Sequence, residues 1–135
     1  VVELFAATDE RDWERVEACL APRVQFDMTS LVGGEPATRT PAEIAGEWRD
    51  GLAGLDAVHH QIGNLRIDVV DEDAVVTCYG VATHYLATAP GEKTRTFVGS
   101  YRFHLAWLDD RWAIDGLRFD LKFATGDPDL GRRGS

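Results

Sequence analysis

The stretch Thr40–Val70, TPAEIAGEWRDGLAGLDAVHHQIGNLRIDVV, decides the fold, because the hydrophobic period changes inside it. Thr40-Pro41-Ala42-Glu43 predicts a helix start. The threonine hydroxyl can cap free N–H groups, proline suits the first turn, and glutamate three residues on can close a capping box. Ile44, Trp48, Leu52 and Leu55 then recur at helical spacing and define one apolar face. From His60 the period drops from about 3.6 residues to about 2 and stays there. Three long strands are predicted near 60–70, 74–88 and 95–108, and a fourth over 112–123. Asp71-Glu72-Asp73 and Asp109-Asp110 supply tight turns between them, and Ala89-Pro90-Gly91-Glu92 a longer one.

Upstream of this stretch the chain reads as helical. Val1 to Thr8 can turn Leu4 and Phe5 inward, and Asp9-Glu10-Arg11 is a polar break. Asp12 can cap a second helix carrying Trp13, Val16 and Leu20, which Ala21-Pro22 should stop. Arg23 to Met28 alternates as a short strand, and Gly33-Gly34-Glu35-Pro36 is a loop. Helices followed by an antiparallel meander imply an α+β fold. Strands this long should bend, so the expected shape is a cone-shaped barrel. Its N-terminal helices would pack in the concave face of a strongly curved, mostly antiparallel sheet, leaving a blind pocket at the open end. Residues 1–123 read as a single domain and 124–135 as a polar, mobile tail.

Composition narrows the function. The 135 residues are 44% hydrophobic and 27% charged, which is enough for one core. A formal net charge of −9 argues against nucleic-acid and anionic-membrane partners. No apolar run approaches the roughly 20 residues of a membrane span. Val1-Val2-Glu3-Leu4-Phe5 lacks the basic start and cleavage site of a signal peptide. Cys19 and Cys78, in unrelated contexts, read as free buried thiols, so the expected compartment is the cytoplasm. There is no phosphate loop, nucleotide fingerprint or nucleophile elbow, and no cofactor is expected. His59, His60, His84 and His104 show no metal-binding spacing.

Several segments, taken in order, resemble a family. Ala7 to Val16 (ATDERDWERV), Leu20-Ala21-Pro22 and Phe26-Asp27 are similar to the opening of scytalone dehydratase. His60-Gln61-Ile62-Gly63 resembles its His-x-Ile-Gly segment, and Trp112 to Leu117 (WAIDGL) its closing strand. The match spans most of the chain and extends to SnoaL-like proteins and hexachlorocyclohexane dehydrochlorinase, within the nuclear transport factor 2-like superfamily. It implies Asp9 and His60 as a catalytic dyad and His84 as a second pocket histidine. Two tyrosines of the family are replaced by Thr8 and Met28, and a serine–asparagine pair aligns with Arg102 and His104. The resemblance therefore carries over the dyad but not the substrate apparatus.

The chemistry of these residues agrees. Histidine is the natural general base near neutral pH. Asp9 can accept from one ring nitrogen of His60, fixing the tautomer and leaving the other nitrogen to take a proton, as in a catalytic triad without its nucleophile. In the blander alternative, His60 is a satisfied half-buried residue and Asp9 a helix cap. His84 could protonate or hydrogen-bond a substrate oxygen, or simply bond backbone. The small Gly80 and Ala82, of the same parity as His84, suit a ligand-bearing face. Asp27 stands where a ketosteroid isomerase keeps its proton-shuttling aspartate.

Arg102 and His104 alternate with Tyr101, Phe103, Leu105 and Trp107, and parity alone leaves open which set faces the helices. Leu117, Phe119, Leu121 and Phe123 add a second apolar stripe. A homodimer or homotrimer through the outer sheet face is expected.

The expected activity is that of a cofactor-independent lyase (dehydratase or dehydrohalogenase type) or isomerase. Its substrate would be small, largely apolar, and cyclic or polyketide-like. The expected catalytic residues are His60 and Asp9; the substrate-binding residues are His84, Arg102, His104, Asp27 and Met28. The alternatives are a non-catalytic small-ligand-binding or assembly module and a proton shuttle using Asp27.

Overall fold

The computed structural model describes residues 1–131. The elements are α1 (Val2–Asp9), α2 (Trp13–Ala18), β1 (Leu20–Asp27), α3 (Thr29–Val32), β2 (Ala37–Arg39), α4 (Pro41–Leu52), β3 (Ala57–Val70), β4 (Asp73–Tyr85), β5 (Thr94–Leu108) and β6 (Arg111–Gly126). The strands form one six-stranded sheet in the order β2-β1-β6-β5-β4-β3. All pairings are antiparallel except β1 with β6. The α+β cone anticipated from the period change is present, with the helices on the concave face.

The local signals explain much of this. Thr40 accepts from the Glu43 N–H while the Glu43 carboxylate accepts from the Thr40 N–H, so the capping box is formed. Asp12 caps α2 through the Arg15 N–H. Asp109 and Asp110 both take positive φ, at 49° and 60°, as a two-residue hairpin turn demands. Leu4, Phe5 and Ala7 of α1, Val16 of α2 and Ile44 of α4 pack on Val76, Tyr101, Phe103, Leu105, Leu117 and Phe119 of the sheet.

Four local expectations are corrected. Helix α2 ends at Ala18, and Leu20-Ala21-Pro22 already belongs to β1, where Leu20 stands opposite Ile114. The long-range ladder overrides the local stop signal. A short helix, α3, and a three-residue edge strand, β2, flank the Gly33–Pro36 loop, so the early part contributes two strands rather than one. Leu55 leaves the α4 face and joins a satellite cluster with Val58, Ala89 and Leu130. Strand β6 runs on to Gly126, and Leu130 is 3% exposed, so the tail expected from Ala124 is largely docked. Its last four residues, 132–135, lie outside the described residues.

Sheet parity is settled by burial and by two bulges. Tyr101, Phe103 and Leu105 are buried under the helices, which puts Arg102 and His104 on the outer face. The register shift between Val98 and Gly99 inserts one residue into β6. Leu121 therefore faces inward opposite Gly99, while Phe123 turns outward opposite Val98. The stripe expected to be continuous on one face is split. Among the described residues no helix is long and apolar enough to cross a membrane.

Candidate active site

The site is assembled where α1 ends and β3 begins. Asp9 is the last residue of α1, and the chain then breaks through Arg11, which has a φ of 58°. Arg11 holds that break against the end of α4, donating to the Leu52 carbonyl at 3.2 Å and the Leu55 carbonyl at 2.6 Å. The Asp9 carboxylate is thereby aimed at β3 and grips His60 twice. Oδ2 accepts the His60 backbone N–H at 2.8 Å, and Oδ1 meets the ring Nδ1 at 2.7 Å. A carboxylate can only accept, so Nδ1 carries a proton, and in the neutral ring Nε2 holds the lone pair. The Phe5 ring stacks on the imidazole with centroids 5.2 Å apart, fixing its plane. Both groups are largely but not fully buried, with side chains 13% and 20% exposed for His60 and Asp9. Asp9 does not cap α2, since Asp12 performs that task.

His84 lies on the same face. His60 stands opposite Ala82 in the β3–β4 ladder, and His84 is two residues further along β4. Its backbone partner on β5 is Arg95. The Arg95 guanidinium donates to His84 Nδ1 through Nε at 3.1 Å and Nη2 at 2.7 Å. Nδ1 is therefore the acceptor, and the proton of the neutral ring sits on Nε2. Burial first, and then the Arg95 and His60 charges, lower the His84 pKa to about 4, with Asp9 opposing. The ring is neutral at neutral pH. Its Nε2–H is then a hydrogen-bond donor.

Beyond His60, on the side away from His84, the same face carries two glycines paired across β4 and β5, Gly80 and Gly99. A Cβ on Gly80 would meet Tyr101 Cε2 at 2.3 Å, and one on Gly99 would meet Phe119 Cζ at 2.6 Å. The glycines are needed because these rings lie across them. Tyr101 belongs opposite Cys78, so its ring leans along β4 toward Gly80, in the direction of Ala82 and His60. Burial is the chief cause that pushes its phenol above the usual range, which keeps it a donor.

The other expected site residues divide between the two faces. Met28 packs against the inner core from the start of α3. Thr8 is buried and bonds back to the Leu4 carbonyl at 2.7 Å, so it takes no part in the site. Asp27, Arg102 and His104 are corrected: all three lie on the outer face, where they line an open recess of about 260 Å³ with Gln25 and Arg118. Phe26 turns inward beside Leu117, so its neighbour Asp27 must turn outward beside Arg118. Hydrogen bonds from the Thr29 hydroxyl and N–H hold the Asp27 carboxyl below its usual range, which makes it a poor base. His104 is paired with Asp115, and Arg118 with Asp120. In this open recess two of the cations are paired with carboxylates, whereas on the inner face an imidazole is oriented by a carboxylate.

Sequence reasoning missed Arg95 and Tyr101. Arg95 was not legible because folding the predicted strands symmetrically about the Ala89–Glu92 turn sets Phe97 opposite His84, whereas the observed ladder is shifted and sets Arg95 there.

The fold is a small α+β cone, and its inner face brings His60 and His84 together. The sequence profile of the SnoaL-like domain matches residues 1–118. This chain belongs to that family. Among solved structures it is similar to the Kfla4162 protein from Kribbella flavida, at 19% identity over 97% of this chain and 93% of that one, with a TM-score of 0.88. It is also similar to hexachlorocyclohexane dehydrochlorinase LinA-type3 from Novosphingobium barchaimii LL02, at 14% identity, covering 92% and 82%, with a TM-score of 0.74. A proposed scytalone dehydratase from Novosphingobium aromaticivorans shares 16% identity, covering 92% and 80%, with a TM-score of 0.76. At these identities the likeness shows the fold. No curated protein sequence matches the chain.

Proposed function

We propose that this chain is a cofactor-independent lyase, of dehydratase or dehydrohalogenase type, or an isomerase, acting on a small, largely apolar, cyclic or polyketide-like substrate. The observation that carries the reading is the double grip of Asp9 on His60, through the backbone N–H at 2.8 Å and Nδ1 at 2.7 Å. A carboxylate placed this way fixes the tautomer and stabilises the imidazolium that forms when Nε2 takes a proton. His60 removes an activated C–H proton, Asp9 is its orienting partner, and neutral His84 offers an N–H to a substrate oxygen. Elimination then expels the leaving group from the adjacent carbon, while isomerisation returns the proton from His60 to another carbon. Two of the similar structures are named for eliminations, which agrees with this reading.

A second reading is a non-catalytic small-ligand-binding or assembly module. It draws on the Tyr101 and Phe119 rings, which fill the space above Gly80 and Gly99. The two readings separate on proton exchange. Wild-type protein in D₂O, followed by proton NMR over a panel of cyclic ketones and of hydroxylated and halogenated cyclohexanes, should exchange or eliminate at a C–H of at least one member. His60→Ala should lower that rate by about 10²–10⁴-fold. The double variant with Asp9→Asn should be little worse, because residues acting as one unit are not additive. Equal rates in wild type and His60→Ala would refute the assignment of His60 as base.

The protein is further proposed to act as a homodimer or homotrimer in the cytoplasm. Tyr79, Val81 and Phe123 are 53%, 40% and 55% exposed on the convex face, an apolar patch suited to a second copy. Cys19 and Cys78 are free thiols, in keeping with a reducing compartment.

A further inference from the structure

The two histidines of the inner face are held by partners of opposite charge. Asp9 takes the Nδ1–H of His60 and makes its Nε2 basic. Arg95 does the reverse to His84, because a guanidinium has donors only and can meet Nδ1 only as a lone pair. The position of Arg95 is itself fixed from behind. Its Nη1 donates to the Pro128 carbonyl at 3.3 Å and the Leu130 carbonyl at 3.2 Å, and its guanidinium lies over the Phe97 ring. Leu130 is buried against Leu55, Val58 and Ala89. The docked C-terminal segment thus clamps Arg95, and Arg95 clamps His84.

We infer that Arg95 is a positioning residue that locks His84 as the Nε2–H tautomer and makes it a neutral electrophile for a substrate carbonyl oxygen. The inference rests on the reading of His60 as the base, and deepens it by naming the substrate class as an enolisable carbonyl compound. A positive charge at Nδ1 draws electron density from the ring and strengthens the Nε2–H as a donor. Among the described residues that N–H has no hydrogen-bond partner. In the ladder, His60 and His84 are diagonal neighbours, about 7–8 Å apart at Cα. That span admits a C–H at one ring and the carbonyl oxygen at the other. His60 Nε2 takes the α-proton, the C–H pair becomes the new C=C bond, and the carbonyl π pair moves to oxygen. The resulting enolate accepts the His84 hydrogen bond without taking its proton. A neutral imidazole in this role donates without first having to lose a charge. In a β-elimination the enolate re-forms the carbonyl and expels the leaving group, to which His60 passes its proton if that group is hydroxide.

The test is ¹⁵N–¹H NMR of the imidazole nitrogens in the full chain without ligand, so it does not depend on knowing the substrate. The titratable and charged groups that face His84 are Arg95 of β5, His60 of β3 and Asp9 of α1. Wild-type His84 at neutral pH should show an unprotonated Nδ1 and a protonated Nε2, with titration near 4. Arg95→Met should give a mixture of tautomers and a midpoint above 4 yet still below 6.5, because burial, the larger cause, remains. Arg95→Lys should restore part of the lock. A wild-type His84 found as the Nδ1–H tautomer, or doubly protonated at neutral pH, would overturn the inference, whatever the variants do. So would an Arg95→Met variant, folded by its amide spectrum, that leaves both tautomer and midpoint unchanged. None of these outcomes bears on whether His60→Ala abolishes exchange, so the two readings fail separately.

Discussion

Replacing His84 with glutamine should remove a defined part of the acid sensitivity of the fold. Folding lowers the His84 pKa from 6.5 to about 4. The unfolded chain therefore holds the proton more tightly, and the contribution of His84 to stability is full above about pH 6.5 and lost as pH falls toward 4. The side chain is only 8% exposed, so little of the effect is screened away. At about 1.4 kcal/mol per pH unit the whole displacement amounts to about 3 kcal/mol. Between about pH 7 and about pH 5 the loss is about 2 kcal/mol. Two carboxylates act in a lower window. Asp27 and Glu43 are held below their ordinary values of 3.8 and 4.5, so what they contribute is lost only below that range. Urea unfolding followed by tryptophan fluorescence at about pH 7, 6 and 5 measures the slope directly. Wild type should lose about 2 kcal/mol over that interval, and His84→Gln only a few tenths. Parallel slopes in the two proteins, or a flat wild-type profile, would refute the assignment of His84 as a buried neutral ring.

Gly80→Ala should destabilise the fold by about 1–3 kcal/mol in urea unfolding, because the new Cβ falls 2.3 Å from Tyr101 Cε2 and the ring is buried. Tyr101→Ala in the same chain should recover part of that loss, and a neutral Gly80→Ala would show that the ring does not lie across the strand. On the convex face, Phe123→Glu should convert the protein to a monomer by light scattering at micromolar concentration. A wild type already monomeric under those conditions removes the proposed assembly.

The period change after Leu55 was enough to read the class of fold, since helical spacing on Ile44 and Trp48 and alternation from His60 each bury one face. Segments whose state depends on distant partners were not legible. Leu20-Ala21-Pro22 looks like a helix terminator, but a strand more than ninety residues away recruits it, with the Ile114 N–H bonded to the Cys19 carbonyl at 3.0 Å. Strand β2 has only Ala37–Arg39, too short for any periodicity. The direction of β5 was undecidable because Tyr101, Phe103 and Leu105 would satisfy either face. The balance is tipped by Phe5, whose ring lies 5.0 Å from that of Tyr101 and 6.0 Å from that of Phe103. That same choice sends Arg102 and His104 outward, so one undetermined parity accounts for two misplaced site residues.

What a histidine does in this site is set less by its position on a strand than by what meets its Nδ1. His60 and His84 come from neighbouring strands, share a face, and are both largely removed from water. Had both met carboxylates, the face would carry two bases and no donor for a substrate oxygen. Had both met guanidinium groups, it would carry two donors and nothing to take a proton. Asp9 arrives from a helix end fixed by Arg11, and Arg95 from a strand fixed by the C-terminal segment, so the two polarities are imposed by separate parts of the chain. A change at either support should therefore alter one histidine without retuning the other. On the proposed reading, that independence lets a neutral donor and a base of the same residue type share one face without sharing a proton.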